Sequence, residues 1–108
     1  MLLGRTANGL YWMFRYIERA ENMARLVDAG LRMALTKTSD APEEWYSVAV
    51  SAGASQGFSN KYDVYNAANV ADFLLRDADN PSSVMTCFET TRSNARMVRT
   101  ALTREAWE

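Results

Sequence analysis

Two groups of side chains in this 108-residue sequence carry enough charge and hydrogen-bonding capacity to do chemistry. The first is Tyr11, Arg15, Glu18, Asn22 and Arg25, with Arg19 and Glu21 flanking. On a helix, at about 100° per residue, Tyr11 and Asn22 fall within about 40° of Arg15, and Glu18 and Arg25 within about 80°. Such a stripe has two readings. Glu18 or Glu21 serves as an acid-base group beside Arg15, or the stripe is a solvated face laced with pairs such as Glu18–Arg15 and Glu21–Arg25. The second group is Arg92, Arg96 and Arg99, within about 40° of one another, with Glu89 and Thr103 beside them. Three guanidiniums near a single carboxylate leave cationic capacity for a carboxylate, a phosphate or an acidic partner surface. Asn94 falls nearer the core side, where it is expected to hydrogen-bond between helices.

Composition removes most other chemistry. There is no His, so Ser-His-Asp and Cys-His nucleophile systems and His-ligated metals are excluded within the chain. The single cysteine, Cys87, rules out an internal disulfide and a four-Cys metal site. It reads as an inert small hydrophobe on the core side of its helix. No metal or cofactor signature is present. Twelve cations against thirteen carboxylates give a net charge of −1, which does not recommend a nucleic-acid binder. Ten of the twelve cations are Arg, the residue suited to planar two-pronged recognition of carboxylate or phosphate. The apolar run Leu10 to Phe14 is cut at once by Arg15, too soon for a leader or a membrane span. The expected setting is the cytoplasm.

The elements that position these groups are helical. Leu10, Met13, Ile17, Ala20, Ala24, Val27, Leu31 and Leu35 recur at three- and four-residue steps, predicting a first helix from about Ala7 to Leu35 with that line as its core. Thr6 or Asn8 would cap it, Gly30 would weaken it mildly, and Lys37 would suit its end. Residues 36–41 read as a connection. Pro42, Glu43 and Glu44 open a short second helix presenting Trp45, Val48, Ala49 and Ala52. Ser51 to Asn60 is the most loop-like stretch. A third helix is expected from near Asn60, burying Val64, Ala67, Ala68, Ala71, Leu74 and Leu75. Asn80 as cap and Pro81 at the first helical position begin a fourth, with Val84, Phe88, Ala95, Val98 and Leu102 as its core line. Ser82 and Ser83 then sit in its first turn, where they satisfy free backbone N–H groups. No segment alternates as a strand does. The expected fold is all-α, an up-down bundle of about four helices, with helices one and four longest.

The polar stripes also carry a resemblance. The run Gly4-Arg5-Thr6-Ala7-Asn8-Gly9-Leu10-Tyr11-Trp12-Met13-Phe14-Arg15-Tyr16-Ile17-Glu18-Arg19-Ala20-Glu21-Asn22 closely resembles the opening of the bacterial alpha-E domain family, S-R-x-A-x-x-L-Y-W-x-x-R-Y-x-E-R-A-E-N. Asn80-Pro81-Ser82-Ser83, then Arg92, Asn94, Ala95, Arg96 and Arg99, then Arg104-Glu105-Ala106-Trp107-Glu108, resemble its second signature. Gly4 stands in place of the usual Ser, and Ser93 in place of the Glu of an R-E-N-A-R run, which weakens acid-base chemistry at the second motif. The resemblance implies an all-helical protein, with residues 1–108 a single domain that is either the N-terminal portion of a longer architecture or a short member. It also implies association with an ATP-grasp-like ligase and a transglutaminase-like peptidase, a system that makes or cleaves peptide or amide bonds.

Three functions are in view. The first is an accessory module that binds an anionic ligand or partner through Tyr11, Arg15, Glu18, Glu21, Asn22, Arg25, Arg92, Asn94, Arg96 and Arg99. The second is an enzyme with its site between helices one and four, requiring Glu18, Arg15 and Arg92 or Arg96 to converge. The third is a structural bundle that forms homo-oligomers through the stripes.

Overall fold

A computed structural model of the chain describes residues 2–36 and 42–107. The connection expected at 36–41, with Lys37, lies outside the described residues except for Thr36. Among the described residues five helices follow in order: α1 (Leu2–Thr36), α2 (Pro42–Ser51), α3 (Ser55–Lys61), α4 (Ala67–Leu75) and α5 (Val84–Trp107). No strand occurs among the described residues. The all-α class and the long first and last helices are as the periodicity predicts.

The count differs by one. Ser55–Lys61, expected as loop, is α3, and the following helix starts not near Asn60 but at Ala67. Asn66 caps it, its Oδ1 accepting from the Asn69 N–H at 2.8 Å. Likewise Asn80 and Pro81 do not begin the last helix. It starts at Val84, where Ser83 Oγ accepts from the Thr86 N–H at 3.2 Å. At the other end of the chain α1 begins at Leu2, so Thr6 and Asn8 lie inside the helix and cap nothing.

The molecule is long, 63 × 27 × 16 Å, with a radius of gyration of 17.6 Å. A compact chain of this length has about 13 Å. The excess comes from an antiparallel hairpin of α1 and α5, a stalk, capped at one end by a head of α2, α3 and α4. The head holds the main core: Met23 and Val27 of α1 with Trp45, Phe58, Val70, Phe73 and Leu74. The stalk seam is thinner and built on small residues. A Cβ on Gly9 would stand 2.6 Å from Val98 Cγ2, so the two backbones approach closely there. Gly30 has the same use at the head, where its missing Cβ leaves room for the Trp45 ring.

The buried face of α1 is rotated from the expected line. Ala20 and Val27 are buried as predicted, but Met23 and the two glycines join them, while Ile17, Leu31 and Leu35 stand exposed. On α5, Val98 and Cys87 are buried, whereas Phe88 and Leu102, expected in the core, are about half exposed. Val64, also expected in the core, is 54% exposed and lies in no helix.

Candidate functional site

The seam sets which side chains can meet. With Gly9 opposite Val98 and antiparallel helices rising equally, Arg15 stands level with Arg92 and Tyr11 with Arg96. Level is not adjacent. The α1 stripe lies opposite the buried line of α1, and the α5 stripe opposite the buried line of α5, so they occupy the two outer edges of the hairpin. Arg15 pairs with Glu18 at 3.9 Å and Glu21 pairs with Arg25, all more than half exposed. Tyr11 and Asn22 are exposed, and the Tyr11 and Trp12 rings meet in a T-shaped contact with centroids 5.4 Å apart. On the far edge Arg92, Arg96 and Arg99 are exposed and form no ion pair among the described residues.

A groove does cross the seam, on one face of the stalk near its open end. Arg5, Asn8, Gly9 and Trp12 of α1 line it, with Asn94, Arg96, Met97, Thr100, Ala101 and Arg104 of α5. Its volume is about 430 Å³. Three guanidiniums rim it, and Trp12, Met97 and Ala101 supply an apolar wall. Among the described residues no carboxylate, thiol or imidazole lines it. Arg96, Thr100 and Arg104 are shared with a shallower depression on α5 that adds Arg99 and Thr103.

Of the ten expected site residues, the groove gathers Asn94 and Arg96, and its neighbour adds Arg99. Tyr11, Arg15, Glu18, Glu21, Asn22, Arg25 and Arg92 are elsewhere. Arg5, Asn8, Trp12 and Arg104 belong to neither polar stripe, because both stripes follow the line opposite the core. A signal was present: Arg5, Asn8 and Trp12 step by three and four along one flank, and Met97, Ala101 and Arg104 step by four and three along another.

A second polar cluster ties the head to the start of α5. Lys61 Nζ reaches Asp77 at 2.7 Å and Asp79 at 3.3 Å, and the Asp77 side chain is 2% exposed. The Asp77 carboxylate, by hydrogen bonding, raises the Lys61 pKa above the ordinary amine range. The Tyr62 hydroxyl donates to Asp72 at 3.0 Å, and Arg76 donates to the other oxygen of that carboxylate. Arg76 first, then Tyr62, hold Asp72 below the usual carboxylate range, while burial pushes Tyr62 up. Asn80 is buried; its amide donates to the Phe73 carbonyl at 2.9 Å and its oxygen accepts from the Ser82 N–H. The Asn-Pro-Ser-Ser run is therefore a satisfied chain reversal. Burial also raises the Cys87 thiol pKa, against a weaker opposing pull from Arg19, which leaves it a poor nucleophile.

Among the described residues no group of three or more Cys, Asp or Glu is disposed to hold a metal ion, and no helix is long and apolar enough to cross a membrane. Neither curated proteins nor solved structures yield a match. A family model does match, over residues 2–108: Alpha-E, a predicted alpha-helical domain with a conserved ER motif. Glu18-Arg19 is the single Glu-Arg step in the sequence, and it lies mid-stalk on α1 with Arg19 over the face of Tyr16. By a match spanning nearly its whole length, and by its helical architecture, this chain belongs to the Alpha-E family.

Proposed function

We propose that this chain is a binding module rather than a catalyst, and that its groove takes a short acidic peptide. In this reading it presents that peptide to an ATP-grasp-like ligase or a transglutaminase-like peptidase acting on amide bonds. The observation that supports the reading is the lining of the groove: Arg5, Arg96 and Arg104 line it, with no acid-base group among the described residues. Planar guanidiniums suit carboxylates in pairs, Asn8 and Asn94 offer amides to a peptide backbone, and Trp12 offers a flat apolar wall. Arg99, on the adjoining depression, extends the same cationic surface along α5. The enzyme alternative requires Glu18 and Arg15 to meet Arg92 or Arg96, and it is disfavoured by their lying on opposite edges of the hairpin.

The test is titration of the full chain with a short oligoglutamate peptide, followed by calorimetry. Arg96→Ala should weaken binding by about 1–3 kcal/mol, the value of a charge-assisted hydrogen bond. Arg15→Ala, on the other edge, should leave affinity unchanged. No binding to wild type, or equal losses in the two variants, would refute the assignment.

A further inference from the structure

The face of the stalk opposite the groove carries an apolar strip that none of the described residues covers. Heptad spacing organises it. On α1 the line 10-13-17-20-24-27 alternates by threes and fours, and on α5 so does 84-88-91-95-98-102. One half of each line, Met13, Ala20 and Val27 with Val84, Thr91 and Val98, turns into the seam and is buried or half-buried. The other half does not. Ile17 is 39% exposed, Phe88 54% and Leu102 51%, with Ala24 and Ala95 exposed and Leu10 half-buried. Both exposed halves emerge on the same side, because the groove residues Trp12 and Met97 flank the seam on the other. The head stays clear as well, since α2 meets α1 through Gly30, about five turns along the line of Trp12.

A helix whose heptad line is half seated on one neighbour and half bare is built to lie between two neighbours, as each helix does in a four-helix bundle. We propose that the second hairpin is another copy of this chain, stacked on this face about a twofold axis parallel to the stalk, so that α1 of each lies on α5 of the other. Charge selects that pairing. Among the described residues the edge of α5 bears Arg92, Arg96 and Arg99 without ion pairs, whereas the edge of α1 is charge-balanced, its Glu18, Glu21 and Asp28 paired with Arg15, Arg25 and Arg32. Stacking α5 on α5 would set two unpaired arginine edges side by side, whereas stacking α1 on α5 sets each beside the balanced edge of the other copy, whose carboxylates it can share. The area is adequate: a face about 36 Å long and about 20 Å wide offers roughly 700 Å² per copy, close to the ~800 Å² typical of stable pairs. The interface leaves the groove open and does not depend on what it binds.

Sedimentation equilibrium of the full chain tests this, with twice the mass of one chain expected at micromolar concentrations. A monomer there, or a trimer or larger species, overturns the proposal. Ile17→Asp with Phe88→Asp should give a monomer that keeps its helical circular dichroism, since both side chains are exposed in a single copy. A double variant that remains dimeric overturns it. Cross-linking decides independently of that variant. A Phe14→Cys chain mixed with an Ala95→Cys chain should form a mixed disulfide, whereas replacing the second by Ser93→Cys, on the groove face, should not. Failure of the first pair, or equal yield from both, overturns the pairing.

Discussion

Replacing Gly30 with alanine sets two effects of opposite sign against each other, and the structure says which wins. Gly30 lies inside α1, so alanine should gain about 0.5–1 kcal/mol of helix stability. The new methyl, however, would stand 2.7 Å from Trp45 Cζ3, 2.9 Å from Cη2 and 3.2 Å from Val48 Cγ2. Carbon atoms rest about 3.5–4.0 Å apart, so the indole must retreat by roughly 0.8 Å. Trp45 is 1% exposed and packs in the core with Val27 and Phe58, and it has little room to do so. Overpacking of this kind costs about 1–3 kcal/mol. The net expectation is a loss of about 0.5–2 kcal/mol. Gly4→Ala is the matched control: nothing lies within 4 Å of its would-be Cβ, so it keeps the helix gain alone. Urea unfolding followed by far-ultraviolet circular dichroism measures both. The difference between the two variants isolates the packing cost, at about 1–3 kcal/mol. If Gly30→Ala matches or exceeds wild type, or the two variants agree within about 0.5 kcal/mol, the contact with Trp45 does not constrain the helix as argued.

Four other outcomes follow from the head and the start of α5. Asn80→Ala strands the Phe73 carbonyl and the Ser82 N–H, and should cost about 2–3 kcal/mol in the same assay; a loss under about 0.5 kcal/mol would mean the reversal holds without it. The lowered pKa of Asp72 makes its contribution complete above about pH 4 and lost as pH falls through the depressed native value, so Asp72→Asn should flatten the acid limb of a melting-temperature profile. The raised pKa values of Lys61 and Tyr62 act in the other direction: their contributions are complete below about pH 10 and lost as pH climbs through the native values, giving an alkaline limb. Cys87 should resist a thiol-reactive dye in the native protein and react on denaturation; rapid native labelling would contradict its burial.

The long helices were legible because their heptad lines run through many turns, which no other element imitates. What the pattern could not say is which half of each line finds a partner inside the chain. Ile17 and Ala20 are equally good members of one stripe, yet only Ala20 is buried. α3 was hidden for a different reason. Ser55-Gln56-Gly57-Phe58-Ser59-Asn60-Lys61 has weak helix propensity, and its order comes from Phe58, fully buried and stacked on Tyr62 and Tyr65 at 4.9 and 4.4 Å. That is tertiary packing overriding local preference. The groove was half legible: Arg96 and Asn94 stood out by type, but Arg5, Asn8 and Trp12 meet them only once Gly9 lets α1 close on Val98.

The hairpin joined through a head has a consequence for the order of folding. Gly9 and Val98 are separated by almost the whole chain, and closing so long a loop directly is slow. Once α2, α3, α4 and the Asn80 reversal have set, the roots of α1 and α5 are already side by side. Each further turn of the stalk then adds contacts while closing only a short additional loop. Within one chain the stalk zips from the Met23 end toward Arg5, and it opens in the reverse direction. Amide protons should therefore exchange progressively faster along α1 from Val27 toward Arg5, a gradient in time running along the length of a single helix.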